Sequence, residues 1–233
     1  MSKETSGMWH ETYAKEKTNK VVVKLKNPDD TFKKSIILPT DMYPLNSDNF
    51  RIFTYKNTEF VSDECVHIIF NSITYKPGHC YQNAKALADK LKSRGYNAKT
   101  YVGWLFVGKY EYPVHHCWVV LDENKVLDLS DDFSQMLNAE NSKHFVGENE
   151  KDTRALIVDF CIAAKNWPNS MRCYPLGTPT AFLYYVGCEC DADEGRRIYQ
   201  RLIKQFPDHE CQRNCDKNGL NATQRLMRER GVF

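Results

Sequence analysis

The most constraining feature of this chain is a helix-length segment followed at once by three strand-length segments joined by short links. In "CYQNAKALADKLKSRG" (80–95), Cys80, Ala84, Leu87, Ala88 and Leu91 recur at the spacing of one helical face. Gly95 stands where a helix closes on a left-handed residue. "AKTYVGWLFVG" (98–108), "VHHCWVVLD" (114–122) and "KVLDLS" (125–130) then read as strands. The last two are linked through "DENK", too short for a crossover, so they must form an antiparallel hairpin. The expectation is an α+β fold in which the helix packs on an antiparallel sheet.

The flanks are patterned less firmly. Residues 1–20 read as a polar lead-in, part of it flexible, and 21–233 as a single domain. "VVVKLKN" (21–27) and "KKSIILPT" (33–40) are β-rich runs separated by the turn signal "PDDT", and "NFRIFTYKN" (49–57) suggests another strand. "SDECVHIIFNSITY" (62–75) opens with a Ser-Asp capping signal and suggests a short helix. Residues 154–167 are ambiguous between helix and strand, whereas 193–205 and 222–230 read as amphipathic helices. The core is expected at about 62–132, with C-terminal helical additions at about 154–233.

At 233 residues, 42% hydrophobic and 27% charged, the chain can bury a core of ordinary size. A net charge of +2 gives no general argument for nucleic acid or a membrane surface as partner. The N-terminus lacks the apolar stretch of a signal peptide, and no apolar run is long enough for a membrane-spanning helix. A cytoplasmic protein is therefore expected. Nine cysteines (65, 80, 117, 161, 173, 188, 190, 211 and 215), an odd number without a secretory leader, are expected to be reduced.

Reduced thiols direct attention to "KPGHCYQNA". Cys80 follows Pro77-Gly78 at the mouth of the helix, where the positive end of the helix dipole favours a thiolate. His116 on one strand and Asp128 on the next follow in order. These are the parts that thiol catalysis needs: a nucleophile, an imidazole that exchanges protons with it, and a carboxylate that fixes the imidazole. Backbone N–H groups at the helix start would serve a developing oxyanion. Strand alternation leaves the pairing open, because His115 and His116 face opposite ways. A two-residue turn at Glu123-Asn124 would pair Asp128 with the His115 face and Asp131 with the His116 face. A three-residue turn or a bulge would pair His116 with Asp128.

The ordered set "GHCYQNAKALADKLKSRGYNAKTYVGW…VHHCWVVL…KVLDLS", covering about 76–132, resembles the transglutaminase-like branch of the papain-like cysteine-hydrolase superfamily. Arylamine N-acetyltransferases share that layout. The resemblance implies a papain-like core with Cys80 as nucleophile, His116 as general base and Asp128 as orienting acid. It implies cleavage of an amide or isopeptide bond in a protein or peptide substrate through an acyl-thioester, with no cofactor. Acyl transfer to an amine is the alternative, and a non-catalytic binding module on the same fold is the second.

Other features have plainer readings. Trp104 and Trp118 are expected in the core or cleft wall. Cys188, Cys190, Cys211 and Cys215 come as two close pairs, but C-x-C and C-x3-C are poor zinc spacings, so no metal is expected. Arginines along the C-terminal helices are expected on solvated faces.

Overall fold

The computed structural model describes residues 12–16, 20–26, 32–39, 50–76, 78–107, 112–129, 176–179, 183–205 and 222–231. The 154–167 segment, Asp131, Cys211 and Cys215 lie outside them. The architecture is α+β, with antiparallel sheets and helices. The elements in chain order are β1 (Thr12–Glu16), β2 (Lys20–Lys26), β3 (Phe32–Pro39), β4 (Arg51–Phe53), α1 (Glu64–Asn71), α2 (Cys80–Lys92), β5 (Ala98–Val107), β6 (Tyr112–Leu121), β7 (Lys125–Leu127), β8 (Leu183–Glu189), α3 (Ala192–Gln205) and α4 (Ala222–Glu229). Among the described residues, no helix is long and apolar enough to cross a membrane.

β1, β2 and β3 form an antiparallel sheet in that order. β1 falls inside the stretch expected to be a polar lead-in. Its five residues "TYAKE" have little apolar alternation, and it is pairing with β2 that makes them a strand.

The second sheet runs β4-β8-β5-β6-β7, every neighbour antiparallel. The expected meander β5-β6-β7 is its backbone. β6 begins at Tyr112, two residues earlier than expected, and so includes Pro113. Pro113 lies at the strand end, opposite Phe106 of β5 and beyond β7, which pairs only with Val119–Leu121. β8 corrects the expectation that the C-terminal part adds only helices: "LYYVGCE" enters between β4 and β5. The β8–β5–β6 contact is close. Gly103 of β5 lies opposite both Gly187 and His116, and a Cβ there would meet the Val186 carbonyl oxygen at 2.0 Å. Only glycine fits.

α2 buries Ala84, Leu87, Ala88 and Leu91 on the sheet, the face that its periodicity indicates, together with Tyr81 and Asn83. Leu87 and Leu91 are fully buried, so truncating either to alanine would cost about 2–5 kcal/mol. The helix ends as its glycine implies. Gly95 takes φ +86°, its N–H donates to Lys92 O at 2.9 Å, and Tyr96 N–H donates to Leu91 O at 3.2 Å, the Schellman closure. α1 begins at Asp63, whose carboxylate accepts from Cys65 N–H at 2.8 Å.

Alternation along the strands gives the sheet two apolar faces. Val102, Trp104, Cys117, Val119, Leu121, Leu127 and Val186 join the helices in one core cluster. Phe53, Tyr101, Leu105, Trp118, Val120, Val126 and Tyr185 form a second. Trp104 and Trp118 are both fully buried.

Candidate active site

Cys80 is the first residue of α2, and the chain that delivers it is held by Asn83. The Asn83 Nδ2 donates to Lys76 O at 2.8 Å, and Lys76 N–H donates to Asn83 Oδ1 at 3.1 Å. His79 N–H donates to Lys76 O at 3.1 Å, and Asn83 N–H to His79 O at 2.9 Å. This buried amide clamps the loop before the helix onto its first turn. The opening N–H groups of a helix have no acceptor within it, and the His79 side chain does not cap these. Cys80 itself is half-buried, reachable from solvent yet packed against the core.

The pairing left open by the sequence is settled by the turn after β6. Leu121 pairs with Lys125, so Asp122, Glu123 and Asn124 form a three-residue turn. Asp122 and Glu123 take φ +50° and +75° to make it. Val119 pairs with Leu127, and Asp128, the next residue, falls on the face of Trp118 and His116. The His116 Nε2–H donates to Asp128 Oδ2 at 2.6 Å, with both side chains buried. Tyr185 O–H donates to the same oxygen at 2.9 Å. The His116 ring lies parallel to Trp118, 6.4 Å away with 12° between the planes.

Burial opposes a charge on His116, but the Asp128 carboxylate, through its charge and hydrogen bond, outweighs that cost. The neighbouring Cys80 side chain adds to the effect, so the imidazole is pushed up to about 10. With Nε2 committed to Asp128, Nδ1 is the nitrogen left for the sulfur. His116, Asp128 and Tyr185 therefore form one buried hydrogen-bonded chain, and Cys80 stands close enough to His116 to act on its charge.

His115 has a different setting. It is buried on the helix-facing side, with Nδ1 2.7 Å from Tyr81 O–H. Burial, then the neighbouring His116 charge, holds it well below the ordinary histidine range, so this imidazole is neutral.

The other described thiols, Cys65, Cys117, Cys188 and Cys190, are free. Burial pushes Cys117 well above the usual thiol range and is the main cause that raises Cys188 to about 12 and Cys190 to about 11. Among the described residues, no three His, Cys, Asp or Glu side chains are grouped to hold a metal ion. Sequence reasoning missed Asn83 and Tyr185. A polar residue four positions before Leu87, on the apolar face of the helix, was a usable signal for Asn83, whereas nothing local marks Tyr185. No protein-family model matches the chain, and neither does any curated protein or solved structure.

Proposed function

We propose that this chain is a cysteine hydrolase that cleaves an amide or isopeptide bond, with a papain-like, transglutaminase-like core. The observation that carries the reading is the buried His116–Asp128 hydrogen bond beside a half-buried Cys80 that acts on the same imidazole.

The chemistry follows from the order of the groups. The Cys80 thiolate forms an S–C bond with the substrate carbonyl carbon, and the carbonyl π electrons move to oxygen. That oxyanion accepts hydrogen bonds from the N–H groups opening α2. As the oxyanion collapses, the C–N bond breaks and the imidazolium of His116 delivers its proton to the departing amine. An acyl-thioester remains. Two of the influences that keep His116 protonated come from Cys80 and vanish once its sulfur is acylated. The imidazole then becomes a better base. It takes a proton from water as the oxygen attacks, the C–S bond breaks, a carboxylic acid leaves, and the thiolate–imidazolium pair is restored. An amine in place of water would give acyl transfer by the same steps.

The test is alkylation by limiting iodoacetamide, read residue by residue by mass spectrometry. Cys80 should react faster than the exposed Cys65, and His116→Ala should slow it by roughly 10²-fold or more. Peptides with glutamine or isopeptide bonds should then form a thioester that hydroxylamine intercepts. If Cys80 reacts no faster than Cys65 and ignores His116→Ala, the catalytic reading fails and the binding-module reading replaces it.

A further inference from the structure

Consecutive residues of α2 engage consecutive residues of β6 in opposite order: Cys80 meets His116, and Tyr81 meets His115. The second contact is not part of the proposed chemistry, and it is the more heavily braced of the two. The His115 ring stacks on Tyr199 of α3, with centroids 3.9 Å apart and 17° between planes. It stands edge-on to Trp104 of β5 at 5.7 Å. Tyr81, Trp104, His115 and Tyr199 are each buried. One imidazole thus joins α2, α3 and β5 at the point where the helix carrying the nucleophile begins.

We propose that Tyr81 and His115 are a positioning pair that sets the register of the α2 start on β6 and thereby holds the Cys80 sulfur against His116. The inference rests on the thiol reading above and adds to it a regulation of the same site by acid. The hydrogen bond and the stack are made by a neutral ring. The titratable groups around it are Tyr81 from α2, Tyr199 from α3, His116 beside it and Cys117 two residues on. Burial opposes a proton on His115, and the imidazolium of His116 would repel it. Detachment of the helix start frees His115 to take up a proton in the ordinary range. Falling pH through about 6.5 therefore favours detachment.

Asparagine at position 115 offers an amide oxygen near the place of Nδ1 and cannot titrate. Alkylation of Cys80 by iodoacetamide and the NMR titration of the His116 ring would be followed between pH 4.5 and 11 in wild type, Tyr81→Phe and His115→Asn. Tyr81→Phe should slow alkylation at neutral pH by roughly 10- to 100-fold. It should also bring the His116 titration down from about 10, because the displaced sulfur no longer supports the imidazolium. His115→Asn should keep near-wild-type alkylation at neutral pH and retain more of it under acid than wild type does. If Tyr81→Phe leaves both readouts unchanged, or His115→Asn keeps the wild-type acid loss, the positioning role is overturned. A failure of the thiol chemistry alone looks different: Cys80 is inert already in wild type, while Tyr81→Phe still lowers the His116 titration.

Discussion

His115 and His116 are adjacent, equally buried and yet in opposite protonation states. One faces a phenol and two aromatic rings, and burial keeps it neutral. The other faces a buried carboxylate, which more than compensates the cost of taking its charge out of water. Burial alone therefore predicts nothing about a histidine's charge; the partner across the face decides. Strand alternation is what lets one dipeptide do both. It turns one ring toward the helices and the other toward the carboxylate of Asp128.

The sharpest way to break the contrast is Asp128→Asn. The amide keeps the shape and loses the charge, so His116 should fall from about 10 and resemble its neighbour. Cys80 alkylation should slow by up to roughly 10⁴-fold, the scale seen in kcat when an orienting carboxylate is replaced by its amide in a catalytic triad. A His116 titration unchanged in this variant would show that Asp128 is not what holds the proton.

A second test reads both histidines through stability. The folded-state value for His116 is raised from 6.5 to about 10. Its contribution is fully present below pH 6.5 and is lost as pH rises through 10, since the folded state holds the extra proton in that window. His115 has the opposite sign, because its folded-state value is depressed and stability falls as pH drops below 6.5. Urea unfolding across pH should show a decline on each side. Asp128→Asn should remove the alkaline decline and leave the acid one.

The smallest expected effect is that of Tyr185→Phe. This removes one hydrogen bond to a charged oxygen and leaves the ring against Trp118, 5.0 Å away. The loss should be about 1.5–3 kcal/mol of stability, measured by denaturant unfolding. A neutral outcome would mean that this hydrogen bond adds nothing net to stability.

Much of this arrangement was legible locally. The apolar spacing of α2, its closing glycine, the Asp63 cap and the strand character of β5, β6 and β7 depend on residues close together in the chain. Cys80, His116 and Asp128 were legible as candidates because thiol chemistry needs those types in suitable places. The His116–Asp128 partnership was not fixed, because "DEN" contains no glycine to announce a three-residue turn. Asp122 and Glu123 adopt the left-handed region nonetheless, which is uncommon for any residue but glycine and less so for Asp than for Glu.

The sequence by itself determined the helix that carries Cys80 and the hairpin that carries His116 and Asp128, because periodicity, capping and short links act over a few residues. Only the tertiary structure decided that Asp128 meets His116, that Tyr81 and Tyr199 close on His115, and that β8 brings Tyr185 to the carboxylate from 57 residues away. The physical reason is that a buried polar group must find its partner wherever packing places one. That partner is set by register and by the insertion of β8 between β4 and β5, neither of which leaves a mark on the neighbouring residues.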